Sequence, residues 1–115
     1  MSDFLLCDAR REHNREVRSL VMKILNEEFA MALRLAELPD LVDVYDSYCA
    51  KGLDKFWVAL ENGRVCGCLG LMHLGRGDFE LRRMYVEAQA RGRGLAQRLL
   101  DTVLAWSAAN GVESI

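Results

Sequence analysis

Two apolar runs, "KFWVAL" and "RVCGCLGLMHL", stand on either side of Glu61-Asn62-Gly63, and this arrangement narrows the possible folds more than any other feature of the chain. Asn-Gly tolerates the positive φ angles of a type I′ turn, so the runs are expected to pair as an antiparallel hairpin. "GRGD" at 75 to 78 supplies another turn, and "FELRRMYV" at 79 to 86 a further strand of the same meander. A sheet of this kind must cover its apolar faces with helices. From Asn14, read as an N-cap, apolar residues fall at Val17, Leu20, Val21, Ile24, Leu25 and Phe29, the spacing of one buried helical face. "FAMALRLAELPD" is less periodic and ends at Pro39, which forbids helix continuation. Asp40 is then read as the cap of a second helix with Leu41, Val44, Tyr45, Tyr48 and Cys49 inward, closed by Gly52.

A third helix is expected from Gly94 to about Asn110, with Leu95, Leu99, Val103 and Trp106 facing the sheet. "FLLCDA" at 4 to 9 reads as a short strand, and "VESI" at the end begins another. The order is strand, two helices, three antiparallel strands, helix, strand. That is an α+β, or mixed α/β, layer fold in one domain over residues 1–115, with a parallel pair where the last helix joins two strands.

Bulk properties exclude several classes. Hydrophobic residues make up 51% and charged residues 28% with a single proline, the composition of a compact protein. A net charge of −2 argues against a general nucleic-acid surface. No apolar run approaches the roughly 18 residues of a membrane span, and no signal segment opens the chain, so a cytoplasmic, non-membrane protein is expected. Cys7, Cys49, Cys66 and Cys68 lack metal-ligand spacing and are read as free thiols. Cys66 and Cys68, two apart in a strand, are expected to share one face. No metal site is expected.

The stretch "RRMYVEAQARGRGLAQRLLD" at 82 to 101 carries the chemistry. At a helix start the first N–H groups lack intrahelical partners and the aligned peptide dipoles add about half a positive charge. Glycines admit a bulky anion to those amides, and Arg91 and Arg93 add positive charge, so "RGRG" between strand and helix suits a diphosphate. A tight turn with solvated arginines is the competing explanation.

In this setting the stretch resembles motif A of the GNAT acetyltransferase superfamily, Q/R-x-x-G-x-G/A, with Arg91, Gly94 and Ala96 in its fixed places. "LRRMYVEAQ" resembles that family's fourth strand and link, and the element order is similar from Phe4 to Asn110. The resemblance implies a GNAT-like acyl-CoA N-acyltransferase fold that binds acetyl-CoA as cosubstrate and acetylates an amine of a small molecule or peptide by direct attack. By position, Arg91, Gly92, Arg93, Gly94, Leu95 and Ala96 would hold the coenzyme's diphosphate. Backbone from Met84 through Tyr85 to Val86 would meet its pantetheine arm, with oxyanion support from an amide near Met84; the Tyr85 side chain alternates away and reads as core packing. Glu80 is the candidate base, its bland alternative being an ion pair with Arg82 or with an arginine across the sheet. His73 as base and a cysteine nucleophile are weaker candidates. A full family domain continues with the rest of strand five, a helix and two more strands, so the resemblance also implies a domain short at its C-terminal side. That leaves an open sheet edge suited to homodimer pairing. Two alternatives stay in view: a non-catalytic module that binds coenzyme A or a partner chain, and a dinucleotide binder, for which "GRGLAQ" lacks the third glycine.

Overall fold

A computed structural model describes residues 3–30, 34, 37–49 and 54–115. Four strands, β1 (Leu5–Asp8), β2 (Lys55–Glu61), β3 (Arg64–Gly75) and β4 (Asp78–Val86), form an antiparallel sheet in sequence order. Asn62 and Gly63 both take positive φ, 53° and 77°, as a primed hairpin turn requires. The expected parallel pair begins beside β4: Ser114 bridges Asp78 in parallel, and Phe79 N–H donates to the Ser114 carbonyl at 2.9 Å.

One helix covers each face. On one side α1 (Asn14–Lys23) buries Val17, Leu20 and Val21 against Phe56, Val58 and Cys68. On the other, α2 (Leu95–Ala109) buries Leu95, Leu99 and Val103 against Ala59, Cys66 and Leu69. Trp106, half-buried, meets Trp57 and Phe79 edge-on, with ring centroids 6.0 and 5.9 Å apart. Gly111, at φ 70°, closes α2, and the Val112 N–H reaches back to the Ser107 carbonyl at 3.1 Å.

Register shifts break the simple alternation at Ala59/Leu60, Cys68/Gly70 and His73/Gly75, and the first two redirect side chains near the site. Between β2 and β3 the register slips at Ala59/Leu60, so Cys66 turns to the α2 face while Cys68 stays on the α1 face. The expectation that these cysteines share a face is therefore corrected by one extra residue in β3. In β4, Arg83 and Met84 together oppose Leu69, and Arg83 takes φ +53°. Leu81 and Met84 both pack on the α2 side, leaving Arg82 and Arg83 to the other face.

The helical readings before the sheet need three corrections. Asn14 opens α1 but does not cap it; a 3-10 turn at Arg11–His13 precedes it, with His13 Nδ1 accepting the Arg10 N–H at 3.0 Å. After Lys23 the chain makes a π turn, Ile24–Glu28, whose added residue rotates the end of the segment, and Phe29 emerges 63% exposed instead of buried. The second helix is a 3-10 turn at Pro39–Leu41 followed by a π turn at Tyr45–Cys49. Leu41, Val44 and Tyr48 are fully buried as expected, Tyr45 and Cys49 half-buried, and the Asp40 carboxylate bonds to Arg83 and Tyr48. Gly52 and most of "FAMALRLAE" lie outside the described residues.

Asn14 has a different task. Its side chain donates to Asp43 Oδ1 at 2.8 Å and accepts the Tyr45 N–H at 2.9 Å, joining α1 to the turn that shields the sheet. Asn14→Ala removes both bonds and is expected to lower stability by about 1–2 kcal/mol, read as the urea midpoint. An unchanged midpoint would show that the two elements stay docked without Asn14, through apolar packing and contacts such as the Arg18 bond to the Val42 carbonyl.

Candidate functional site

The site grows from the end of β4. After Val86 the chain takes a 3-10 turn at Ala88–Ala90 that buries Ala90, then runs through Arg91–Gly94 into α2. Gly92 and Gly94 lie at φ 74° and 80°, left-handed conformations that favour glycine. A Cβ placed on either would meet nothing within 4 Å among the described residues, so the space before the turn is open.

Gly94 is the N-cap of α2, and no side chain among the described residues caps the helix there. The first α-helical bond runs from the Arg98 N–H to the Gly94 carbonyl at 3.1 Å, which leaves the N–H groups of Leu95, Ala96 and Gln97 beyond the reach of any intrahelical carbonyl. A cavity of about 140 Å³ adjoins the turn and the start of α2, lined by Val86, Ala90, Arg91, Gly92, Gly94, Leu95 and Ala96. Of the residues that the sequence assigns to the coenzyme, all but Arg93, Met84 and Tyr85 border it.

Both arginines of the turn are engaged. Arg91 donates from Nε to the Val86 carbonyl at 2.9 Å and clasps Glu28 with two bonds at 2.6 and 3.0 Å. The hydrogen bonds from Arg91 hold the Glu28 carboxyl below the usual carboxylate range. Arg93 pairs with Glu61 through two bonds and lies 4.5 Å over the Phe4 ring. The positive end presented to the cavity is thus chiefly backbone, with the guanidinium groups bracing the turn against the π turn after α1 and against β2. Leu95 fixes the helix start from beneath: a Cβ on Gly67 of β3 would lie 3.1 Å from Leu95 Cδ2.

Up the strand from the turn, β4 carries the remaining candidates. Met84 and Val86 pack on the α2 side and Tyr85 on the α1 side, the alternation expected. Glu80 is exposed and accepts from Arg82 Nε. On the same face Arg83 makes two bonds to Asp40, at 2.8 and 2.9 Å. Burial alone would raise the Asp40 carboxyl, but the bonds from Arg83 and from the Tyr48 hydroxyl outweigh it and hold the group below its usual range. Tyr48 moves the other way, pushed well up by burial and by its bond to Asp40.

His73 stands apart, at the far end of β3, its ring 4.9 Å from Phe79 and Nε2 3.1 Å from the Arg76 carbonyl oxygen. Cys68 is fully buried, and burial pushes its thiol up to about 12, a poor nucleophile. The acidic residues of the segment before the sheet are largely paired off: Glu28 with Arg91, Asp40 with Arg83, and Asp43 with Asn14 and Arg11. The pairing of Arg83 with Asp40 escapes sequence reasoning because 43 residues separate them and the bulge that aims Arg83 has no glycine to mark it.

These features match known proteins. The profile of the acetyltransferase (GNAT) domain matches residues 52–115. N-acetyltransferase 8 from Rattus norvegicus is 32% identical over 81 residues, which cover 66% of this chain and 36% of that protein. The chain thus spans about a third of the length of such a relative. Among solved structures, an acetyltransferase of the GNAT family from Staphylococcus aureus Mu50 superposes with a TM-score of 0.90 at 23% identity, over 96% of this chain and 70% of its own. A predicted acetyltransferase from Clostridium acetobutylicum determined with acetyl-CoA gives 0.76 at 18% identity, over 100% and 79%. With that profile matching more than half of the chain, the chain belongs to the GNAT acetyltransferase family.

Proposed function

We propose that this chain is an N-acetyltransferase domain that takes the acetyl group from acetyl-CoA and transfers it to an amine by direct attack. The observation that carries the reading is the uncapped start of α2, which borders a cavity beside two glycines in left-handed conformation. An anion seated there gains hydrogen bonds and the favourable end of a helix dipole without displacing a side chain. Glycine at 92 and 94 leaves a tetrahedral phosphate room to approach the backbone.

From that anchor the coenzyme's arm runs along β4, and its thioester reaches the bulge at Arg83–Met84. A bulge turns one backbone group out of the ladder. An amide near Met84 would receive the carbonyl oxygen as the amine nitrogen attacks the thioester carbon and charge builds on that oxygen. Collapse of the intermediate breaks the carbon–sulfur bond, releases the thiolate and leaves an amide; an acceptor that arrives as ammonium gives up two protons, one before attack and one that passes to the leaving sulfur. Glu80 is proposed to take the first. It stands on the exposed face of β4, three residues before Arg83, where an incoming ammonium would meet a carboxylate.

Calorimetric titration with acetyl-CoA, followed by an amine panel read by release of free thiol, tests the whole reading. Saturable binding with turnover on one class of amine supports it. Binding without turnover on any amine would favour a module that holds coenzyme A and does no chemistry. Glu80→Gln is expected to cut the rate near neutral pH by about a hundredfold. The deficit should shrink as pH rises towards the amine's own pKa, because the free base then forms without help. A loss of equal size at every pH would remove Glu80 as the proton acceptor.

A further inference from the structure

Arg83 holds a backbone conformation, φ +53°, that side-chain-bearing residues visit sparsely. Such a conformation persists only where the surroundings over-determine it. Here they do so from both ends of the residue. The Arg83 carbonyl accepts the Cys68 thiol at 3.2 Å. Its guanidinium makes the two-bond fork to Asp40, whose Oδ2 also accepts the Tyr48 hydroxyl at 2.8 Å. Tyr48 is fully buried and its ring lies 4.9 Å from Phe56, at the centre of the α1-side core. Asp40 sits in the Pro39–Leu41 turn, anchored by the buried Leu41 and Leu38. A continuous line of fixed contacts therefore runs from the core through Tyr48 and Asp40 to the one residue whose torsion makes the bulge.

The geometry is more than an ion pair at a convenient place. A planar guanidinium bonded in parallel to a carboxylate fixes orientation as well as distance. The side chains of Arg83 and Asp40 are 20% and 18% exposed, so water competes weakly for either. Arg82, the neighbouring arginine on the same face, pairs with Glu80 on its own strand, a contact that ties β4 only to itself. Among the described residues, Arg83 is the bulge residue that reaches the segment before the sheet.

We propose that Asp40 is a positioning residue for acyl transfer: by clasping Arg83 it holds the β4 bulge, and with it the Met84 amide, in the orientation that receives the thioester oxygen. The role rests on the acetyltransferase reading given above. Asp40 touches neither coenzyme nor acceptor in this scheme, and it acts through Arg83. The diphosphate seat at Gly92–Ala96 lies beyond Val86, on the far side of the bulge, and does not depend on the clasp.

Asp40→Asn keeps the size of the side chain and weakens the fork, since an amide offers one acceptor oxygen where the carboxylate offered two. The expected result is faster backbone amide exchange at Met84 and Tyr85 with unchanged exchange at Val58 and Val65 in the β2–β3 pair. The accompanying fall in kcat should be about a hundredfold, the size of an ångström-scale misplacement, with KM for acetyl-CoA unchanged. Tyr48→Phe leaves both Arg83 bonds in place and should give a smaller loss of the same pattern. If Asp40→Asn does not fold, Arg83→Lys, which keeps the charge but not the fork, serves with the same measurements. A folded variant whose exchange and kcat both match wild type overturns the positioning role and leaves the acetyltransferase reading standing. A kcat loss accompanied by an equal loss of acetyl-CoA affinity and by faster exchange throughout the sheet also overturns it, because that is general destabilisation. A wild-type chain with no turnover on any amine overturns the acyl-transfer reading, and the positioning role with it.

Discussion

Gly92→Glu and Gly94→Trp are each expected to weaken acetyl-CoA binding by about a hundredfold, the equivalent of losing one or two hydrogen bonds to a charged group. The two substitutions fail for different reasons. A glutamate at 92 brings a carboxylate to the cavity at the start of α2, and like charge there opposes the diphosphate directly. A tryptophan at 94 fills the space instead, since a Cβ there would meet nothing within 4 Å apart from its chain neighbours. Both sites have positive φ, so each variant also carries backbone strain of roughly 1–2 kcal/mol. Stability measured alongside calorimetry separates that strain from lost affinity. Coenzyme affinity that survives in both folded variants would place the diphosphate elsewhere and remove the basis for the proposed function.

What the sequence makes legible is what short-range chemistry decides. Asn62-Gly63 announces the first hairpin because few other dipeptides accept two positive φ angles in succession. The α2 face is readable because Leu95, Leu99 and Val103 recur at helical spacing without interruption. The turn at 91–94 is readable because glycine and a helix start coincide. Departures from expectation cluster where one residue is added to a regular element. The π turn at Ile24–Glu28 sends Phe29 to the surface, and the β3 bulge sends Cys66 across the sheet. No residue type marks either, since both are settled by tertiary packing. The roles of Arg91 and Arg93 are hidden for a related reason. Their partners, Glu28 and Glu61, lie 63 and 32 residues away, and a charge pattern along the chain does not say which carboxylate folding will deliver.

Gly70→Val is expected to destabilise the chain by about 3 kcal/mol, the upper part of the range for an overpacked core. Glycine in a strand interior ordinarily weakens it, and a larger residue at an open site restores side-chain packing and removes freedom from the unfolded chain. The reverse sign follows here from contact distances. A Cβ at Gly70 would lie 2.9 Å from Phe56 Cδ2 and 3.1 Å from Tyr48 Cε1, both rings being fully buried. Neither ring is the free end of a flexible side chain, so relief requires the pair to move together. Gly67, also buried in the same strand, offers a control: its Cβ would make one tight contact, with Leu95 Cδ2 at 3.1 Å, where Gly70 makes three. Gly67→Ala should therefore cost about 1 kcal/mol in the same urea titration. Equal effects at the two positions would mean that the Tyr48–Phe56 pair yields as easily as a leucine methyl. The difference bears on function because Tyr48 is the ring whose hydroxyl holds Asp40. A side chain forced beneath it is expected to shift Asp40 against Arg83 and so to disturb the β4 bulge together with the core.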